Sequence, residues 1–183
     1  MTALNTRPSA DEHAAFALVY LDTTAGALSA AGNPSLLALL DTQPAALHTL
    51  VGSVNDATAQ RSYAPGKWTL AESLLHVADT ERVFIYRLLR IARGDKTPLP
   101  GFDQDVWVPE SRAANRTLAD ILTEIDVVRA ATLALVRSLD ENSAVQVGTA
   151  SGNPVSVRAL AWMIAGHFQH HLEIIRTRYL GGA

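Results

Sequence analysis

Ala161-Trp162-Met163-Ile164-Ala165-Gly166-His167-Phe168-Gln169-His170-His171-Leu172-Glu173-Ile174-Ile175-Arg176-Thr177-Arg178-Tyr179-Leu180 is the stretch on which fold and chemistry turn. An α-helix advances about 100° per residue. Leu160, Ile164, His167, His171, Ile174, Ile175 and Arg178 therefore share one stripe, with Arg158, Gln169, Glu173 and Arg176 opposite. Two imidazoles stand a turn apart in the middle of an apolar face. Neutral imidazole is the commonest metal ligand among side chains, and a His-x-x-x-His step on a helix holds two rings side by side as a metal ion requires. A pair of hydrogen-bonded core histidines is the competing reading, and the helix alone leaves both open.

Composition bounds what such a helix belongs to. A chain of 183 residues is long enough for one domain with a proper core. The net charge of -3, from 15 basic and 18 acidic residues without a Lys/Arg cluster, leaves no electrostatic footprint for nucleic acid. Met1 to Ala10 lacks a basic-then-apolar signal, and the apolar runs are too short and interrupted to span a bilayer, so the expectation is a soluble, cytoplasmic protein without a membrane partner. With no cysteine there is no disulfide framework, Cys-type zinc site or thiol nucleophile. Any metal must use His, Asp or Glu.

Upstream, Asp11 to Ala31 is Ala-rich and weakly helical, breaking at Gly32-Asn33. Asn33-Pro34 reads as an N-cap followed by proline at the first helical position. An apolar helix then runs to about Asn55, with Pro44 marking a kink or a later start. Thr69-Leu70-Ala71-Glu72 is a capping-box pattern that predicts a helix to about Gly94. Asp95 to Arg116 holds Pro98, Pro100, Gly101 and Pro109 and reads as an irregular loop, a length that in a compact domain is commonly functional. Thr117 caps a helix to about Leu139, a small hairpin is expected between Val145 and Val157, and Ser156 caps the last helix. Four long amphipathic helices with almost no strand predict an all-α four-helix bundle, a fold whose core commonly houses a metal site built from facing helices. Residues 1–33 are read as an N-terminal helical extension and 34–183 as the bundle domain.

A metal needs a third ligand, and the second long helix offers His76. The wheel is less kind to it. Leu70, Leu74, Val77, Phe84, Ile85 and Leu88 define the apolar stripe, His76 lies roughly 120° from its centre, and Glu81 lies within it. Periodicity alone nominates Glu81 before His76, as a carboxylate beside the site or as partner of an arginine on a facing helix, because a buried lone carboxylate is costly. His13 and His48 read as ordinary surface or core residues and His170 as a flank residue. Trp162 and Leu180, on the polar side of the last helix, read as a partner surface or as scattered exposed apolar residues.

Tyr63-Ala64-Pro65-Gly66-Lys67-Trp68-Thr69, His76-Val77-Ala78-Asp79-Thr80-Glu81-Arg82, Arg87, Arg93-Gly94-Asp95, Gly101-Phe102-Asp103-Gln104 and Gly166-His167-Phe168-Gln169-His170-His171, in that order and spacing, resemble the DinB/YfiT family. The resemblance runs from about Leu36 to Leu180. It implies an antiparallel four-helix bundle, often dimeric, with a divalent metal held by His76, His167 and His171. It also implies that His76, not Glu81, is the third ligand. The family name derives from a damage-inducible gene, which attaches a stress-response expectation, and nothing here resembles a polymerase.

Three imidazoles leave coordination positions open, as in a catalytic site. An open position on zinc, nickel, iron or manganese can polarise water, a thiolate or a carbonyl. Relatives that add a low-molecular-weight thiol to an electrophile make a thiol-dependent S-transferase acting on a small molecule the leading expectation, by analogy of superfamily alone. The alternatives are a metal-dependent hydrolase of a small molecule and a non-catalytic helical dimer whose metal is structural or adventitious. His-Phe-Gln-His-His lacks the glutamate of the zinc-protease pattern, which disfavours proteolysis. Asp103 and Gln104 are expected to border the site or to tie the loop down.

Overall fold

The computed structural model of the chain describes residues 2–32 and 34–181. Five long helices carry it: α1 Leu18–Ala30, α2 Leu36–Leu50, α3 Leu70–Ala92, α4 Leu118–Arg137 and α5 Val157–Ile174, with a hairpin of β1 Val147–Ala150 and β2 Asn153–Ser156 leading into α5. Side-chain caps begin the four bundle helices where the sequence places Ser or Thr. The capping box at α3 closes both ways, Glu72 N donating to Thr69 Oγ1 at 3.1 Å and Thr69 N to Glu72 Oε2 at 2.7 Å. Thr117 and Ser156 accept from Asp120 N and Ala159 N. The start of α2 differs from expectation: Ser35 is its cap, accepting from Ala38 N, so Pro34 precedes the cap, and Asn33 lies outside the described residues. The α2 helix also ends at Leu50 rather than near Asn55, where Asn55 caps a separate short helix, Asp56–Ala59. No helix among the described residues is long and apolar enough to cross a membrane.

Helices α2 to α5 form a four-helix bundle in which α2 and α3 each pack on both α4 and α5. Contacts set the directions. The pairs His48–Asp126 and Asp41–Arg137 run α2 antiparallel to α4, and Trp68–Tyr179 with Ser73–His171 run α3 antiparallel to α5. Helices α3 and α4 are parallel, with Leu74 clustered near Ile121 and Leu88 near Val136. The order is therefore up, down, down, up. Two successive parallel helices require the chain to travel back along the bundle, about 30 Å for a helix of 20 residues, which is why the 93–117 connection is long. It is not irregular throughout. It contains a helix, Gln104–Glu110, and a 3-10 turn, Ala113–Asn115. Seven residues are too few for an isolated helix, so no sequence pattern betrays this one; burial of Val108 and the packing of Trp107 against Phe102 hold it.

A buried polar knot ties the four helices together. Arg129 of α4 donates to both carboxylate oxygens of Glu81 at 2.8 Å, to Leu40 O at 2.7 Å and to Gln43 Oε1 at 2.9 Å, and lies 4.5 Å over the Phe168 ring. Gln43 Nε2 passes the network to Ala165 O at 2.8 Å. Pro44, inside α2, has no N–H to offer the carbonyl four residues back. That carbonyl is Leu40 O, and the arginine satisfies it.

Helix α1 covers the face of α5 that points away from the bundle. It crosses at Gly166, where a Cβ would lie 1.9 Å from Tyr20 O and 2.7 Å from Thr24 Oγ1. Thr24 Oγ1 donates to Trp162 O, and Trp162 Nε1 donates to Leu4 O, both at 2.8 Å. Trp162, read from the sequence as exposed, is thus 3 % exposed: the wheel's polar side of α5 is roofed by the N-terminal segment. Gly166→Ala drives a methyl into backbone and is expected to destabilise by about 2–3 kcal/mol, lowering Tm by about 5–10 °C in a thermal melt.

Candidate metal centre

The capping box fixes the start of α3, and two turns in, His76 points toward α5, where His167 and His171 occupy successive turns. The three side chains are 5 %, 4 % and 8 % exposed, and one ring nitrogen from each lies within 4.8 Å of the others. His76 Nε2 and His167 Nε2 are 3.1 Å apart. Two nitrogens each about 2.0–2.1 Å from one ion stand roughly 3 Å apart, so this donor set fits a divalent metal. Neighbours orient the rings: Ser73 Oγ lies 3.2 Å from His171 Nδ1, which leaves Nε2 for the metal, and Thr80 Oγ1 lies 3.4 Å from His76 Nδ1. The His76 ring meets Trp68 at 4.9 Å and the His167 ring meets Tyr20 at 5.3 Å, centroid to centroid.

Burial keeps all three imidazoles neutral, as ligands must be. Desolvation brings His76 down to about 4 against an opposing pull from the Asp105 carboxylate, and His171 down to about 3 with help from His76. His167 is pushed well below the usual histidine range by the same burial and by the charge that His171 and His76 would carry. The unfolded chain, with ordinary histidines near 6.5, takes up protons first as pH falls. Metal-free protein is therefore expected to lose stability from about pH 6.5 to about pH 4, by up to about 1.4 kcal/mol per pH unit for each imidazole. Denaturant midpoints compared at pH 7 and pH 5 check this. The Glu12–Arg158 pair does not confuse the reading, because Arg158 holds the Glu12 carboxyl below its usual value and that contribution fades only below about pH 4.5.

The centre opens on a cleft of about 530 Å³ lined by Tyr63, Lys67, Trp68, Gln104, Asp105 and Tyr179, among others. Its wall is pinned by Tyr179, from the five π-helical residues Ile175–Tyr179 that end the last helix, donating its hydroxyl to Trp68 O at 2.7 Å. Gln104 borders the cleft as expected. Asp103 does not: its Oδ1 accepts from Asp105 N at 2.9 Å and caps the 104–110 helix. Asp105, the residue whose N–H the cap accepts, lines the cleft with His76 and His171. No sequence signal separates Asp105 from Asp103; only the short helix does. His170 is half-buried against Tyr20 and lines the cleft, His48 sits on Asp126, and His13 is buried against its own loop.

Glu81 and His76 are both buried, and the wheel's choice between them dissolves. Helix α3 lies between α4 and α5 and buries two faces: Glu81 on the α4 side takes the arginine that the sequence reading asked for, and His76 on the α5 side joins the other histidines.

A four-helix bundle whose order brings two antiparallel helices together over three neutral histidines defines a class of fold with a built-in centre. The chain belongs to the DinB superfamily, whose sequence pattern matches residues 39–175. It is 28% identical over 142 residues, 75% of this chain and 79% of the other, to an Oceanobacillus iheyensis protein named provisionally as a metal-dependent hydrolase. It also superimposes on YfiT from Bacillus subtilis, described as "a probable metal-dependent hydrolase with an unusual four-helix bundle topology", with a TM-score of 0.70 at 18% identity, covering 81% of this chain and 87% of that one.

Proposed function

We propose that the protein is a metal-dependent hydrolase of a small molecule, with His76, His167 and His171 holding one divalent ion. The observation that carries this reading is the Asp105 carboxylate, which lines the same polar cleft as His76 and His171 and acts electrostatically on His76. Three imidazoles would leave coordination positions free on a divalent ion. A divalent ion bound there supplies a Lewis acid that polarises a carbonyl and acidifies water. Asp105, which lines that cleft, is the carboxylate that would take a proton from water activated there. Lys67 places a positive charge in the cleft wall for a substrate anion, and the Trp68 ring packs on the His76 ring. The names of the two relatives point the same way.

The test is a screen of small esters and amides with tag-free, metal-loaded protein, run with and without low-molecular-weight thiols. Hydrolysis without thiol supports the proposal, and products that appear only with thiol move the reading to S-transfer. Asp105→Asn is expected to lower kcat by about 10²–10⁴-fold with metal content unchanged. Unchanged turnover in that variant would remove Asp105 as the base.

A further inference from the structure

Two arginines of this fold are almost fully buried, and they are handled in opposite ways. Arg129 is matched by the Glu81 carboxylate. Arg87 of α3, 5 % exposed, has no ion-pair partner among the described residues; its Nη2 donates to Pro100 O at 2.8 Å and to Ser151 Oγ at 3.1 Å, and it lies 5.7 Å over the Phe102 ring. A buried cation without a counter-charge is costly, and burial correspondingly lowers its proton affinity with nothing opposing. Arg87 lines a cavity of about 220 Å³ that His167 of the candidate metal centre also lines, together with Phe16, Phe84 and Phe102, and it also borders the surface pocket that Asp79 and Glu110 line. Tyr20 and Gln104 line both this cavity and the outer cleft, so the two adjoin. On α3 itself His76, Thr80 and Arg87 follow one stripe, about three turns from first to last.

We infer that Arg87 is the anchor for a carboxylate of the substrate, and that the substrate is a small monocarboxylic acid with an apolar body, held so that its scissile bond reaches the histidines. This rests on the hydrolase reading for the bond cleaved and on the cavity alone for the acid. One guanidinium balances one negative charge, and no second cationic side chain is among the described residues that line the cavity, where His167 is neutral, which favours a carboxylate over a phosphate dianion. Three phenylalanine rings offer a wall for a carbon chain, beside the polar edges of Tyr20, Thr80, Gln104 and Ser151. At about 30 Å³ per displaced water the space equals roughly seven waters, so the occupant is small. The Pro100 and Ser151 contacts use one nitrogen of the guanidinium and hold its plane, which presets it for an oxyanion.

The probe is hexanoate, titrated calorimetrically into the metal-loaded protein, with hexan-1-ol and inorganic phosphate as comparisons. Saturable hexanoate binding at least tenfold tighter than hexan-1-ol and than phosphate is expected. Arg87→Met should weaken hexanoate at least tenfold while metal content and helical circular dichroism are kept, and Arg87→Lys should fall between. Equal binding of hexanoate and hexan-1-ol in the wild type overturns the inference without any variant, as does an Arg87→Met protein that is folded and binds hexanoate normally. Phosphate binding tighter than hexanoate overturns the monocarboxylate assignment. The two readings fail separately: hexanoate binding without any hydrolysis in the screen sinks the hydrolase proposal alone, and ester hydrolysis by wild type that shows no saturable hexanoate binding sinks this one alone.

Discussion

Glu81→Ala is expected to cost about 3–5 kcal/mol in a denaturant titration, because it strands the Arg129 guanidinium, 1 % exposed, in the middle of the bundle. A domain of this kind is stable by only about 5–15 kcal/mol in total, so the variant should lie near the edge of folding at 37 °C. The damage spreads beyond one ion pair: Arg129 also satisfies Leu40 O, which Pro44 leaves without a helical donor, and it orients Gln43 toward Ala165 O. Replacing both charges with apolar residues, Glu81→Leu with Arg129→Met, should recover part of the loss, since no charge is then left unpaired. Recovery will be incomplete because Leu40 O and Gln43 lose their donor. A double variant less stable than Glu81→Ala would mean that the carbonyl and amide contacts, and not the charge pair, dominate. Folded Glu81→Ala protein should still bind one metal per chain.

His76→Ala should do the reverse. On tag-free protein purified without nickel resin, plasma mass spectrometry is expected to find about one divalent metal per wild-type chain, and loss of a ligand from a three-imidazole set should weaken binding by more than about 100-fold, beyond what is seen for partners outside the coordination shell. His167→Ala with His171→Ala should abolish it. The helical circular dichroism should persist in each case, because the bundle core does not depend on these rings. Ser73→Ala, which frees His171 Nδ1, should weaken metal binding by a smaller factor, about 10–100-fold. In the wild type, added metal should raise Tm as binding to the native state requires, and the three variants should show no such rise or a reduced one. Wild-type protein that takes up no zinc, nickel, iron or manganese would return the three rings to the core as hydrogen-bonded histidines.

The helices were legible where a cap and a periodic run coincided. Thr69 with Glu72, Thr117 and Ser156 are local hydrogen-bond chemistry, and they begin helices wherever the chain goes next. The histidine pair of α5 was legible for the same reason, since its four-residue spacing is a property of one helix. His76 was reachable only through its place in a wider pattern of motifs, because the wheel assumes one buried face and α3 has two. Trp162 was misjudged on the same assumption, with α1 as the second neighbour. Asp105 could not be distinguished at all, and Arg87 stood in the motif pattern with no hint that it would be buried without a carboxylate.

By itself, then, the sequence determined where α3, α4 and α5 begin, the absence of a cysteine thiol, and a pair of imidazoles on one apolar stripe, read from composition or from interactions reaching no more than a few residues. Tertiary structure decided the up, down, down, up order, which makes α3 and α4 parallel and obliges the 93–117 segment to cross back along the bundle. That crossing brings Gln104 and Asp105 to the histidines and Phe102 and Pro100 to Arg87. These are contacts between residues distant in the chain, set by which faces of each helix find a partner, and a pattern read along one helix at a time carries no information about its neighbours.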